Sequence, residues 1–480
     1  SIIPVVWSGS SWSNGTGPSI SDIAILSGTF NGPSFTARNV TVNPTTTLTV
    51  ASGSVIKANG VLTNNGTITI NDGGGIVQGP TSTLAGSGTY RVIKTGSQIA
   101  YSYWSTPVVS AKMFPGYNNY YYNEAARTAG DFLTGWKVSP ANFQLGVGYT
   151  GLKVGTKTFS GVINNGNVNR AVTYTLIDNN PFKDGWNLLG NPYPSALDLE
   201  LFLDENSTVL DQVAYFWDGS VKNYVTENSG NIAVCQGFFV HARSNGTVSF
   251  KNSMRTMGNR PMFRMGATAT KRVKITLGNG SNTDVTQIEL RDGRSDGYDL
   301  GYDAIKLKGN DILQLYSKIE NQVSPFAINI LSPGIDKSVQ LAYDAKALGS
   351  YTFSISENNS SLPVYIMDKE LNKLHDLSTP YTFQGGGVSE NERFVLLISP
   401  STTSVETKES GKQSMLVWSY DKEVVVEGNG NLEVKVKDMS GRTIATGMGN
   451  ASCVVKMSNS PAGLYMVFVN GIFAKKLVLQ

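Results

Sequence analysis

The chain has 480 residues, of which 51 are glycine, 16% are charged and 40% are hydrophobic. The charged share lies well below the usual share of about 25%, and with abundant Gly, Ser, Thr and Asn it disfavours long helices and favours short strands joined by turns. A net charge of +3 with scattered Lys and Arg excludes a phosphate-backbone interface, so no nucleic acid is expected as a partner, and two cysteines exclude a disulfide framework or a Cys-based zinc site.

The length calls for three or four modules. No run of about 18 apolar residues is present, so no transmembrane helix is expected and the chain is not read as an integral membrane protein. The opening "SIIPVVWSGSSW" lacks an initiating Met and a basic stretch ahead of an apolar one. The expectation is a removed signal peptide or a piece of a longer chain.

Residues 1–97 carry the clearest repeat. Val40/Val42, Leu48/Val50, Ile68/Ile70 and Ile76/Val77 recur every six to eight residues in 38–90, with Gly, Asn or Pro between them. Short β-branched strands at a regular step predict stacked coils of a parallel β-solenoid, and "NGVLTNNGTITINDGGGIVQG" resembles the right-handed parallel β-helix of many bacterial surface proteins. Asn64, Asn65 and Asn71 are candidates for corner ladders, since Asn tolerates the left-handed region. An ordinary hairpin series is the alternative. So short a stack needs capping by the next module.

Residues 98–268 change to longer strands rich in aromatics, such as "YSYWSTPV", "GYNNYYYNEA", "VAYFWDG" and "CQGFFVHA". "SALDLELFLDE" at 195–205 is the helix candidate, with Ser195 as N-cap. Residues 269–399 hold about seven alternating strands, which predict an antiparallel sandwich. Residues 400–413 read as a Ser/Thr/Lys-rich linker. Residues 414–480 form a last small module, predicted to be an Ig-like sandwich. Its end, "SPAGLYMVFVNGIFAKKLVLQ", reads as a β-hairpin, because Asn470-Gly471 supplies the positive φ angles of a type I′ turn. The fold class expected is therefore all-β: a short parallel β-helix, then antiparallel β-sandwich modules, then the C-terminal sandwich.

Three motifs in that last module follow a known order: "KDMSGR" at 437–442, "SPAGLY" at 460–465 and "AKKLVLQ" at 474–480. The module resembles the type A C-terminal sorting domain of proteins exported by the type IX secretion system of Bacteroidetes. On that resemblance the sorting signal comprises Asp438, Gly441, Arg442, Pro461, Gly463, Tyr465, Lys475, Lys476, Leu477 and Val478. Gln480 departs from the Lys or Val that more often ends such domains. "GWNLLGNPYPSALD", "CQGFFVHA", "FKNSMR" and "SDGYDLGYDAIKL" resemble segments that commonly precede the domain. The resemblance implies passage through the outer-membrane translocon, receipt by a shuttle barrel protein, removal of the last domain by a sortase and anchoring on a surface lipopolysaccharide. The product would be extracellular or held at the cell surface, an adhesin or a structural or gliding-motility component. A terminal edge strand also suits β-augmentation.

An enzyme is the second class weighed, since parallel β-helices host polysaccharide lyases and hydrolases. Such chemistry needs clustered carboxylates or cations on one face. Residues 1–95 hold only Asp22, Arg38, Lys57, Asp72, Arg91 and Lys94 as charged groups. His241 and His375 are the two histidines and fall in different modules, so neither joins a Ser-His or metal pair. No catalytic residue is nominated and no cofactor is required. The alternative kept is a secreted carbohydrate-active enzyme or its accessory glycan-binding subunit. A third option is a stalk whose active part precedes Ser1. Asp292, Asp296, Asp299 and Asp303 offer hard oxygen ligands in a turn-rich stretch and make calcium a candidate, against Asp side chains bonding their own backbone. Tyr117, Tyr120, Tyr121 and Tyr122, with Trp104 and Trp136 near in sequence, are candidates for stacking on the rings of a surface polysaccharide, although strand alternation sends half of them inward.

Overall fold

Strand accounts for 53% and helix for 4% of the chain, so the fold is all-β. The computed structural model describes residues 3–96, 101–116, 118–151, 155–258, 271–334, 337–371, 373–398, 416–420, 422–461 and 463–479. The chain divides into two compact units. One holds Ser1–Thr270, Asp299–Asp311 and Phe326–Asn329; the other holds Lys271–Tyr298, Ile312–Pro325 and Ile330–Gln480.

The first unit opens with a parallel solenoid. Ile23–Leu26, Asn39–Val42, Val61–Asn64 and Thr83–Ala85 stack in one sheet, Phe35–Ala37, Val55–Ala58 and Gly75–Gln78 in a second, and Thr47–Val50, Thr67–Ile70 and Thr89–Thr95 in a third. The six-to-eight-residue spacing seen in the sequence is thus the step from one side of a coil to the next. A full coil takes about 22 residues, the separation at which the Asn39 side chain accepts from the Val61 amide and the Ser82 hydroxyl donates to the Gly60 carbonyl. Every second residue points inward, so Val40, Leu62, Leu48, Ile68 and Ile76 are fully buried. The expected Asn ladder takes another form. Asn64 is buried, donates to the Thr89 carbonyl of the next coil at 3.1 Å and accepts from Gly66 N. At Gly86 (φ +86°), a Cβ would lie 2.1 Å from the Asn64 carbonyl, so the neighbouring coil leaves no room for a side chain.

Aromatic rings seal both ends of this stack. Trp7, Trp12, Phe30 and Phe35 meet mostly edge to face, with centroids 5.1–5.6 Å apart, at the start. At the other end Thr156–Ser160 pairs antiparallel with Thr89–Thr95, and Trp104, Phe114, Phe143 and Phe159 join the solenoid core. The following module is fastened there by Arg255. It is buried and meets no carboxylate among the described residues: it donates to the Ile76 carbonyl (2.6 Å), Gln78 (3.2 Å), Asn252 (3.2 Å) and Ser195 (3.0 Å), over the Tyr193 ring.

That module rests on two antiparallel sheets. One runs Trp186–Gly190, Gly237–Ala242, Leu210–Asp218, Asn223–Glu227; the other Ser102–Trp104, Tyr149–Gly151, Asn119–Tyr122, Trp136–Val138. Its helix spans Leu199–Glu205, shorter than expected. Asp198 rather than Ser195 caps it, accepting from Leu201 N at 3.1 Å, because Ala196–Asp198 is held as strand against Ile232 and Arg255.

The second unit holds the antiparallel sandwich and the C-terminal module. Thr283–Leu290, Lys271–Gly278, Gly349–Asn358 and Tyr381–Gly385 pair in that order, as do Leu313–Lys318, Lys337–Ala345, Val388–Ile398, Val364–Asp368 and Lys373–Asp376. Both sets feed one core containing Ile275, Phe353, Phe383, Phe394 and Leu396. Asp299–Asp311 and Phe326–Asn329, grouped by sequence with 269–399, belong instead to the first unit. There Ala304–Ile305 pairs with Ile328 and Phe326, Gln212 N donates to the Gly301 carbonyl, and Gly309 N donates to Asn223.

The C-terminal sandwich is built on the long strand Glu423–Asp438. It pairs with Leu416–Tyr420, Thr443–Lys456 and Gly463–Val469, and the last of these pairs with Ile472–Leu479. Alternation gives the long strand two tasks. Val424 and Val426 enter the module's own core, while Val425 faces Met367, Leu374, Val395 and Leu397 of the preceding sandwich. The residues 400–413 read as a linker lie outside the described residues.

Candidate functional site

Within the first unit, a cleft of about 770 Å³ opens over the aromatic sheets. Its floor is organised by Phe239, whose ring lies 5.1–6.4 Å from those of Tyr103, Tyr122, Phe132, Trp136, Trp186 and Tyr224. The Phe239 strand, "GFFVHA", is buried along its whole length, and each sheet sends rings onto it. Tyr103 and Tyr224 join hydroxyls at 2.7 Å, and burial, with their mutual repulsion, pushes the Tyr103 phenol well above its ordinary pKa. The Trp217 indole donates to the Tyr101 carbonyl at 3.1 Å. The rings are therefore held in place by bonds at their edges while Tyr101, Tyr120, Phe132, Trp136 and Trp217 keep surface toward the cleft. Lys306, Lys308 and Asn310 line the opposite wall, and Lys183 stands exposed at the rim.

Arg127 forms part of the wall and anchors it. Its guanidinium donates to Asp178 and Asp184 and lies 3.4 Å from Glu124, and all four side chains are almost completely buried. Glu124 in turn accepts from Gly185 N (2.7 Å) and Thr175 (2.8 Å). The Arg127 hydrogen bond holds the Asp178 carboxyl below its usual range. Behind Trp186, His241 is buried with Nδ1 2.7 Å from Asp211 and Nε2 2.7 Å from the Asp184 carbonyl. Both ring nitrogens face acceptors, an arrangement only the doubly protonated imidazolium fills. Burial opposes that charge, but Asp211 and the carbonyls outweigh it and the His241 pKa is raised.

The tyrosine run is divided by the strand geometry. Tyr120 lines the cleft; Tyr122 is buried and donates to the Phe132 carbonyl at 3.1 Å, and Tyr121 faces a second, more polar hollow of about 580 Å³. Tyr117 lies outside the described residues. Trp136 joins the cleft, while Trp104 is fully buried in the solenoid cap. Tyr101, Trp217, Lys183, Lys306 and Lys308 were not singled out from sequence. The alternation in "AIKLKGN" marks a two-lysine face, but only the pairing of Ala304–Ile305 with Phe326 and Ile328 brings it to this wall.

Two of the four aspartates read for calcium have other partners. Asp296 accepts from Lys337 Nζ (2.7 and 2.9 Å) and from Ser332 N and Oγ. Asp303 accepts from Asp299 N at 2.6 Å, the backbone-bonding alternative, and Asp292 is exposed. Among the described residues no group of three or more His, Cys, Asp or Glu is placed to hold a metal ion.

The C-terminal motifs are two closed turns and a hairpin. Asp438 accepts from Ser440 N, Ser440 Oγ and Arg442 N, and from Arg442 Nε at 3.0 Å, with Gly441 at φ +84°. Arg442 remains exposed. Tyr465 is buried and donates to the Pro461 carbonyl; Gly463 pairs with Leu479. Asn470 (φ +51°) and Gly471 (φ +82°) make the type I′ turn, and the Asn470 side chain bridges to Glu433 N and the Asn431 carbonyl. Lys475, Lys476 and Val478 lie opposite Val467, Met466 and Leu464, Leu477 is buried opposite Tyr465, and the strand carrying them is the last in its sheet.

A domain of unknown function (DUF8693) matches the chain over residues 6–228 and 218–398. The chain belongs to the DUF8693 family. The DUF8693 matches take in the solenoid, the cleft and the preceding sandwich, and the C-terminal sandwich lies beyond them. No curated protein matches the chain. No described helix is long and apolar enough to cross a membrane.

Proposed function

We propose that this DUF8693 protein is an exported cell-surface protein, addressed to the type IX translocon by its C-terminal sandwich, with an adhesive or surface-structural role carried by the solenoid and the aromatic module. One observation carries the reading: the final strand, Ile472–Leu479, ends a sheet order and is kept in register by the Asn470-Gly471 turn. Among the described residues this strand lies at the edge of its sheet order, and an ordered edge strand gives a shuttle barrel or translocon a backbone ladder to extend, while the exposed Arg442 turn adds a second feature to read. The separation of tasks along Glu423–Asp438 supports it further, since the terminal module has a core of its own. A sortase acting between the modules and anchorage on a surface lipopolysaccharide would follow.

The test is to fuse residues 400–480 to a fluorescent reporter in a type IX-competent bacterium and follow its appearance outside the cell. Export of the fusion, with retention of a chain cut after Pro400, is the expected outcome. Equal export of the cut chain would end the reading.

A further inference from the structure

The cleft in the first unit has no ligand assigned to it. We propose that it binds an oligosaccharide through its uncharged groups, with sugar rings lying on Tyr101, Trp136 and Trp217 and sugar hydroxyls bonded to the ring edges of Tyr101, Tyr120 and Trp136. The proposal rests on the adhesive part of the proposed function, which it deepens, and does not depend on the sorting part.

Three features of the cleft converge on that class. First, its size suits a short saccharide segment: about 770 Å³ falls inside the range of roughly 300–1,000 Å³ for small-molecule sites. Second, its lining is aromatic and preorganised. Trp136 and Trp217 are half-buried and Tyr101 is exposed, so each keeps surface for a ligand. The Tyr103–Tyr224 hydroxyl pair and the Trp217–Tyr101 bond hold the cluster in place, so little freedom is lost when a ligand settles on it. Electron-rich ring faces attract the weakly positive C–H faces of pyranoses by the same quadrupole that orients aromatic pairs. Third, the ring edges carry open polar groups. Among the described residues, the Tyr101 and Tyr120 hydroxyls and the Trp136 indole N–H have no hydrogen-bond partner. The two phenols donate and accept, and the indole donates. Sugar hydroxyls, which also donate and accept, fill every one of these roles beside a stacked ring. An acyl chain would cover the rings and part the same groups from water with nothing in exchange. A proline-rich peptide would offer them carbonyl acceptors alone and leave the accepting side of both phenols unmet.

The experiment uses the full chain and the fluorescence of the cleft tryptophans, with calorimetry as a second readout. The probes are cellohexaose, laminarihexaose, mannohexaose and chitohexaose, with palmitate and a proline-rich decapeptide as the rival classes. Saturable binding of at least one hexasaccharide, tighter than either rival, is expected. Tyr101→Phe and Tyr120→Phe each remove one open hydroxyl and keep the ring. Each should weaken that saccharide roughly fivefold, leave palmitate unaffected and leave the melting temperature where it was. Tyr101→Ala, at an exposed position, should weaken the saccharide further by taking the stacking surface away. The inference is overturned if no hexasaccharide titrates, if palmitate or the peptide binds more tightly than all four sugars, or if the two Phe variants bind the saccharide as tightly as the parent chain. Export of the reporter fusion is unaffected by any of these results, so failure here leaves the sorting reading standing and the reverse holds too.

Discussion

The Tyr465 hydroxyl donates to the carbonyl of Pro461, four residues earlier, at 2.8 Å, which ties the turn before the terminal hairpin to the core of its sandwich. Tyr465→Phe keeps the buried ring and loses the bond, at a cost of about 1 kcal/mol. Tyr465→Ala also empties the site and should cost roughly 3–5 kcal/mol. Amide hydrogen exchange across Gly463–Val469 measures both: protection should drop slightly for Phe and collapse for Ala.

Arg255 is predicted to be the most sensitive buried cation of the first unit. It is buried with no carboxylate partner among the described residues, and burial lowers its pKa to about 9, leaving it charged at neutral pH. Arg255→Ala would strand the Ile76 carbonyl and the Gln78, Asn252 and Ser195 side chains together, at about 1–3 kcal/mol for each acceptor left without a donor. Urea unfolding followed by tryptophan fluorescence reads the change.

The His241–Asp211 pair sets a pH dependence. A raised folded pKa means that the imidazolium stabilises the native state fully below the unfolded value of about 6.5, and that this stabilisation is lost as pH rises through the folded value. Melting temperature should therefore fall as pH climbs above about 6.5, on account of this group. His241→Gln should lower stability at acidic pH and flatten the slope. A wild-type profile that rises over that interval, with the variant parallel to it, would contradict the assignment.

Calcium should leave the melting temperature unchanged. Against the upward push of burial, Lys337 and Ser332 hold the Asp296 carboxyl below its ordinary pKa, so its contribution is present above about pH 4 and disappears as pH falls through the folded value. Asp296→Asn should flatten that acid limb in a thermal scan. A calcium-dependent rise in melting temperature would support calcium binding instead.

Val425 joins the two sandwiches of the second unit, and Val425→Asp places a charge among Met367, Leu374, Val395 and Leu397. Calorimetry should then resolve separate transitions for the two sandwiches where the parent chain gives one for the unit.

These tests rest on features that the sequence revealed unevenly. The solenoid strands and the terminal hairpin were legible because their signals are local: alternation around Val40 and Ile68, and Asn470-Gly471 between two apolar runs. The cleft was not, because its parts are distant in the chain. Tyr120 and Trp136 stand on paired strands joined by a long loop, Trp217 arrives from another sheet, and Lys306 and Lys308 come from a segment that sequence spacing assigned to the following sandwich. Charge clustering in the sequence did not show these partners either. Of four aspartates close in sequence, Asp296 meets Lys337 and Ser332 and Asp303 meets the Asp299 amide once the chain folds. The helix start moved to Asp198 because tertiary pairing of Ala196–Asp198 overrode a good N-cap residue at Ser195.

The solenoid's closed ends make its length adjustable only in fixed increments. Because Asn39 reaches Val61, and Gly60 meets Ser82, one turn further along, an insertion of about 22 residues patterned like 61–82 adds a storey of about 4.8 Å and leaves both aromatic lids undisturbed. An insertion of half that size rotates every later strand onto the wrong wall. Relatives that differ in reach are therefore expected to differ by whole storeys.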